Sequence, residues 1–315
     1  MVNNMNDVNR KEVVHSLALS KDGYSAISAS GGEVYRYDIR TSETLYTIMC
    51  PPPAPTSIAF YPHDNNIVAI GMADSTIQIL NTIEQVVVCT LAGHHDKVIG
   101  LAFSIPDNYT SVLVSLSADA QLCVWKTEEW SKRRSRLGSL QPDQTTACAG
   151  DLRVQFHNDQ RHVLVVGKTQ LAVYDTLNVD RPVTEWVPQS PFTAAITDAT
   201  YSYYGLEVYV GFADGSVAYL HALFKQWRRF VPPIHPPLGA SGSTAYPVAI
   251  AAHPWHGDQF AMGMSDGSVI VVEPWEAPAD NEPGSGEGSS RDVRGPNRNQ
   301  GGSIKFCGLF QLCKM

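Results

Sequence analysis

No hydrophobic run in this 315-residue chain approaches the roughly 18–20 residues that a membrane-spanning helix requires. The opening stretch MVNNMNDVNRKEVVHS has no apolar core of the kind a secretory signal carries. Cysteine is scarce as well. Cys50, Cys89, Cys123 and Cys148 are scattered through strand-like or turn-like segments, and Cys307 and Cys313 lie in a polar tail. None of them has the close, repeated spacing that a disulfide framework or a structural zinc site needs. Positive charge is in deficit: 23 Lys and Arg stand against 31 Asp and Glu, for a net charge of -8. That balance argues against a protein that grips nucleic acid by bulk electrostatics. Apolar residues at helical spacing are missing over any useful length. The expectation is an intracellular protein with reduced thiols, no cofactor or metal, and neither nucleic acid nor membrane as a direct partner.

What the chain does have is a repeat. YPHDNNIVAIGMADSTIQIL, Tyr61 to Leu80, falls without a gap on HPWHGDQFAMGMSDGSVIVV, His253 to Val272, so that Pro62 meets Pro254, Gly71 meets Gly263 and Asp74 meets Asp266. The same pattern recurs in HSLALSKDGYSAISASGGEVYRYDI, VIGLAFSIPDNYTSVLVSLSADAQLCVW, LRVQFHNDQRHVLVVGKTQLAVYD and ITDATYSYYGLEVYVGFADGSVAYLH, six copies in all. In each, an apolar strand ends in a polar turn, a strand rich in Val, Ile, Ala and Ser follows, and an Asp or Gly turn leads into a third alternating strand. Successive turns are about 42 to 52 residues apart, near the period of a four-stranded propeller blade. The predicted fold is all-β, a WD-repeat β-propeller with six recognisable four-stranded blades; a seven-bladed ring missing one blade is the alternative. Residues 1–14 are an N-terminal extension, 15–275 the propeller, and 276–315 a Gly/Pro/Ser-rich tail too poor in apolar residues to fold.

The third copy carries the most specific signal. Gly93-His94, then Asp119, then Trp125 follow the Gly-His to Trp-Asp pattern of WD repeats, with Lys126 where the final Asp would stand. In that family a His, a strand Ser or Thr, the turn Asp and the Trp are hydrogen-bonded in series. His94, Ser115 (or Ser117), Asp119 and Trp125 would fill those places. Lys168 and four turn carboxylates, Asp74, Asp119, Asp214 and Asp266, mark the turns that would build the face from which blade connectors emerge. Carboxylates there suit a partner segment bearing Lys or Arg. The Pro-rich connectors CPPPAP and VPPIHPPLGASGSTAYP are spacers that double as contact candidates. Lys132, Arg133, Arg134 and Arg136 form a basic run whose readings are a solvated surface, nuclear import or contact with an acidic partner.

Other motifs weigh less. GMSDG around Ser265 fits the letter of a nucleophile elbow, but a β-run follows it where the elbow needs a helix. His94-His95-Asp96 and His253 with His256 suggest metal ligands, yet the first belongs to the blade signature and the second to a repeated turn. Trp227-Arg228-Arg229 reads as an outer strand.

The ordered segments SASGGEVYRYDI, PPPAPTSIAFYPHDNNIVAIGMADSTIQI, VIGLAFS, SADAQLCVW, RVQFH, TQLAVY, VAIAAHP and SDGSVIVVEP resemble the C-terminal propeller of the plant TOPLESS and Topless-related corepressors, over roughly residues 12 to 275. The resemblance implies a nuclear adaptor that links transcription factors to chromatin-silencing components. The family's N-terminal helical module and first propeller have no counterpart in this sequence, and the second propeller lacks its first blade, so the resemblance is to a truncated or divergent member. The leading functional expectation is a non-catalytic interaction scaffold in transcriptional repression. The alternatives are a general WD-repeat adaptor such as a ubiquitin-ligase substrate receptor, a fragment without an independent role, and a hydrolase using Ser265.

Overall fold

The computed structural model describes residues 14–30, 32–49, 53–105, 111–137, 152–187, 194–221, 226–231, 245–257 and 259–272. The tail from 276, both distal cysteines, Cys50 and Cys148, and most of the second Pro-rich connector lie outside the described residues. Everything regular among the described residues is β-strand, arranged as antiparallel meanders. Blade one is β1 (Val14–Leu19), β2 (Ser25–Ser30), β3 (Glu33–Asp38) and β4 (Glu43–Met49). Blade two is β5 (Pro55–Phe60), β6 (Ile67–Met72), β7 (Ile77–Asn81) and β8 (Val86–Leu91). Blade three is β9 (Val98–Phe103), β10 (Val112–Ser117), β11 (Gln121–Lys126) and β12 (Ser131–Leu137). Blade four is β13 (Arg153–Phe156), β14 (His162–Val166), β15 (Leu171–Asp175) and β16 (Thr184–Trp186). Blade five is β17 (Ile196–Tyr201), β18 (Glu207–Phe212), β19 (Val217–His221) and β20 (Gln226–Val231). Blade six has three described strands, β21 (Pro247–Ala252), β22 (Phe260–Met264) and β23 (Val269–Val272). The fold class is that of a WD-repeat β-propeller.

The chain gathers into two compact units, Met1–Thr197 and Asp198–Met315. In the first, the leading strands stack in sequence, β1 against β5, β5 against β9 and β9 against β13. Apolar side chains fill each seam. Ile27 and Val34 meet Ile58 and Phe60 between blades one and two. Ile77 and Ile79 meet Phe103 and Trp125 between two and three, and Val114 and Val124 meet Val163 and Val165 between three and four. In the second unit, Tyr209 and Val217 of blade five pack with Ile250, Phe260 and Met262 of blade six. Tyr209 stacks on Phe260 with ring centroids 4.5 Å apart.

The internal repeat is reproduced strand for strand. In blade two Pro55 pairs with Met72 and Ser57 with Gly71, with a register shift between; in blade six Pro247 pairs with Met264 and Ala249 with Gly263, with the same shift. The surroundings of the two repeated glycines differ. A Cβ on Gly71 would lie 2.8 Å from Val98 Cγ1 and 3.0 Å from Val98 Cβ, so the neighbouring β9 sits against bare backbone. Gly211 of blade five plays the same part toward Pro247, at 2.7 Å. Among the described residues a Cβ on Gly263 would meet only Ala249 Cβ, at 4.0 Å. A comparable contrast marks the leading strands: Leu17 and Leu19 of β1 are 63% and 61% exposed, whereas Ile58 and Phe60 at the same positions of β5 are 6% and 8% exposed.

These environments set opposite outcomes for one substitution. Gly71→Ala drives a methyl into the β-branched Val98 and should cost about 1–3 kcal/mol through overpacking. Gly263→Ala meets no described atom closer than Ala249 Cβ and should be neutral, or stabilise by about 0.5 kcal/mol by restricting the unfolded chain. Urea unfolding of the two variants beside the parent protein decides the point.

Candidate functional site

A connected set of buried side-chain hydrogen bonds lies in blade three. Gly93, in the connector from β8 to β9, has φ 153°, and a Cβ there would lie 2.8 Å from Lys132 Nζ and 3.3 Å from the Trp125 ring. Only glycine suits that combination of dihedral and crowding. The next residue, His94, is 6% exposed. Its Nε2 is 2.6 Å from Ser115 Oγ, and Trp125 Nε1 donates to the same hydroxyl at 2.7 Å. Its Nδ1 faces Gln121 Oε1 at 3.1 Å. The indole can only donate. With the glutamine oxygen on Nδ1, the protons therefore run from Trp125 to Ser115 to His94 Nε2, and from His94 Nδ1 to Gln121, which requires a neutral imidazole. Burial, the largest influence, pushes the imidazole pKa down to about 4, against the opposing pull of the Gln121 hydrogen bond and the Asp119 charge. Burial likewise pushes the neighbouring Cys123 thiol up to about 11.

His94, Ser115 and Trp125 are thus joined, and Asp119 is not joined to them. Its Oδ1 accepts from the hydroxyl of Ser117 and, at 3.1 Å, from Gln121 N. Asp119 holds the turn, and Gln121 takes the place against the imidazole where the sequence pattern puts the aspartate.

The remaining turn carboxylates share one geometry. Oδ1 of Asp74 accepts from Thr76 N at 3.0 Å and Thr76 Oγ1 at 2.6 Å. Asp214 does the same with Ser216 and Asp266 with Ser268, at 2.9 Å and 2.6 Å in each pair. The side chains are exposed, and the second oxygen of each makes no hydrogen bond to described residues. The Ser268 hydroxyl, followed by the Ser268 amide, holds the Asp266 carboxyl below the usual range. Blade four has no such aspartate: half-buried Lys168 stands in its turn and its carbonyl accepts from Ile196 N at 2.7 Å.

The basic run occupies β12, with Lys132, Arg133 and Arg134 exposed and Arg136 half-buried. Trp227, Arg228 and Arg229 lie on β20. Ser265 sits in the hairpin turn between β22 and β23, where its hydroxyl accepts from Tyr246 N at 3.1 Å. His253 caps another turn, its Nδ1 accepting from His256 N at 3.0 Å and Trp255 N at 3.2 Å. Among the described residues no group of His, Cys, Asp and Glu is placed to hold a metal ion.

Comparison with known proteins places this geometry. The family description "WD domain, G-beta repeat" matches residues 85–126, the span from the outer strand of blade two through β11. Rice Protein TOPLESS-RELATED PROTEIN 2 (Oryza sativa subsp. japonica) is 46% identical over 280 residues, 88% of this chain and 24% of the relative. Arabidopsis thaliana Protein TOPLESS is 42% identical over 302 residues, 93% of this chain and 26% of the relative, and Arabidopsis Topless-related protein 1 is 43% identical over 278 residues. The chain is a Topless-related WD-repeat protein. It spans about a quarter of the length of the curated relatives it matches.

Three residues of this Topless-related chain take roles that sequence reasoning missed. Gln121, partner of the buried imidazole, looks in the sequence like any polar strand residue. Lys132 belongs to the blade lock as well as to the basic run: its Nζ donates to Gly93 O at 2.9 Å and lies 5.9 Å from the Trp125 ring centroid. Arg36 is 9% exposed in a core position of blade one, where Nη1 donates to Tyr46 Oη at 2.8 Å and, across the seam, to Thr82 Oγ1 at 2.6 Å. Only the alternation of VYRYD, which places Arg36 on the face opposite Tyr35 and Tyr37, could have hinted at it.

Two outcomes follow. Ser115→Ala orphans a buried indole N–H and a buried imidazole nitrogen, for a loss of about 3 kcal/mol, whereas Asp119→Asn keeps an acceptor in the turn and should cost about 1 kcal/mol or less. The imidazole also sets a pH dependence. Its folded pKa, about 4, lies below the ordinary 6.5, so the unfolded chain takes up the proton first as pH falls. The stability it contributes is intact above pH 6.5 and erodes down to about pH 4. By pH 5 the loss should reach about 2 kcal/mol. Denaturation of the parent and His94→Gln proteins at pH 7.5 and pH 5 should show the variant losing markedly less over that interval.

Proposed function

We propose that this chain is a non-catalytic protein-interaction scaffold that acts in repression of transcription in the nucleus. Collinear similarity to TOPLESS and Topless-related proteins over 88–93% of the chain carries the reading. The site chemistry supports it. The polar residues of blade three are consumed by one another, and Ser265 and His253 are engaged with backbone amides in turns. What blade packing leaves available is surface. The turns between second and third strands present Asp74, Asp119, Asp214 and Asp266, each with a carboxylate oxygen that makes no hydrogen bond to described residues. Those carboxylates and Lys168 are the proposed protein contacts, and a segment bearing Lys or Arg is the chemistry they select. By resemblance the partners are transcription factors or chromatin-silencing components.

Asparagine separates the two duties of these aspartates, because its carbonyl oxygen can still accept the two turn hydrogen bonds while the charge is removed. The full chain, tethered to a DNA-binding domain upstream of a reporter in plant cells, should lower expression. The triple variant Asp74→Asn/Asp214→Asn/Asp266→Asn should relieve that repression while its stability stays within about 0.5 kcal/mol of the parent at each site. An unchanged reporter with the folded chain present in the nucleus, or co-purification dominated by ubiquitin-ligase components, would overturn the reading.

A further inference from the structure

The basic run is part of a sheet edge. β12 is the outermost strand of blade three; β11 pairs with its inner edge, from Gln121↔Leu137 to Lys126↔Ser131, and among the described residues nothing pairs with its outer edge. Side chains 132–135 along it are exposed, so the edge is open to solvent. A register shift between Val124 and Trp125 makes Arg133 the extra residue of a bulge, after which Arg134 and Arg136 point to one face. None of Lys132, Arg133, Arg134 and Arg136 has an ion-pair partner among the described residues; Lys132 is tied to Gly93 O, and the buried Arg136 Nη1 has no hydrogen-bond partner among the described residues.

Cations on an edge strand can serve merely to block edge-to-edge aggregation. Of the other described outer strands, β20 carries two cations, Arg228 and Arg229, and the rest do not use that device. β8 leaves Val86, Val87 and Val88 exposed at 55%, 42% and 53%, β4 carries Glu43 and Leu45, and β16 carries Glu185. In a chain of net charge -8, the four cations of β12 are the largest concentration of positive charge on any described outer strand, and that marks the edge. The ladder to β11 also occupies half of the run's backbone hydrogen-bonding capacity, so a receptor that reads a basic segment as a free extended peptide would first have to peel the strand away. An added strand needs only the half that is open.

We infer that β12 is a docking edge for an extended acidic segment of a partner protein. The segment adds to blade three as a further strand, with carboxylates at alternate positions set against Arg134 and Arg136 and a third within reach of Arg133. Main-chain hydrogen bonds supply the affinity, and the cations select the sign of the charge. The strand's length and open backbone suit a peptide, and the chain's overall negative charge disfavours a long nucleic acid.

The test uses the full chain and a fluorescent peptide alternating Glu with Val, followed by anisotropy and amide hydrogen exchange. The Glu peptide should bind, weaken as salt rises, and slow exchange of β12 amides; its Lys counterpart should not bind. Arg133→Glu/Arg134→Glu should weaken binding about tenfold or more through like-charge repulsion, with a thermal melt matching the parent because both side chains are exposed. Arg133→Gln/Arg134→Gln should fall between. Equal binding by an alternately N-methylated Glu peptide, unchanged β12 exchange, indifference to the charge reversal, or tighter binding of a single-stranded DNA of equal charge would each overturn the inference. Because the edge is distinct from the turn carboxylates, the Asp→Asn variant should leave this binding intact whatever its effect on repression.

Discussion

A sheet with apolar side chains on both faces is stable only when something covers each face, and the blades of this chain are such sheets. All six residues of β2 and all six of β10 are buried, although neighbouring residues in a strand point in opposite directions. Each seam between stacked blades therefore supports two sheets at once. Burial of one large aliphatic side chain contributes about 1.5–3 kcal/mol, and every described seam holds several. The close approach depends on small details such as Gly71, whose missing side chain lets Val98 of the next blade sit against the backbone.

Polar groups taken into the seams have to be satisfied there, and this determines where they occur. Arg36 enters the seam between blades one and two without a contacting carboxylate. Hydroxyls of Tyr46, Thr82 and Ser25 share its guanidinium, while Nε stays unpartnered. In blade three the series from Trp125 through Ser115 and His94 to Gln121 stays neutral throughout. That arrangement avoids burying a charge, whose desolvation is far more costly than a neutral hydrogen bond is stabilising. Lys132 closes the site from outside by bonding the carbonyl beside His94 and lying over the indole.

Function falls to what packing leaves over. The turn aspartates serve structure through one oxygen and keep the other free. The outer strands have one satisfied edge and one open edge, so both backbone and side chains are offered to a partner. Blade three combines a buried, hydrogen-bonded polar interior with the most strongly charged edge described. An interaction surface gains from such a support, since less ordering is left to be done on binding.

Much of this was legible in the sequence. Alternating apolar residues punctuated by Asp and Gly turns specify short antiparallel strands, and their recurrence every few dozen residues specifies blades, because period and turn chemistry are local properties of the chain. The match of Tyr61–Leu80 with His253–Val272 anticipated even the pairing register of the two blades. The locations of His94, Ser115, Asp119 and Trp125 within one blade were legible for the same reason. What faces what across a seam was not. Replacement of Asp119 by Gln121 against the imidazole, capture of Lys132 by Gly93, burial of Arg36, and the contrast between a crowded Gly71 and an open Gly263 all depend on neighbours distant in the chain. Similar local sequence carries no record of what lies against it, and only the tertiary structure decides that.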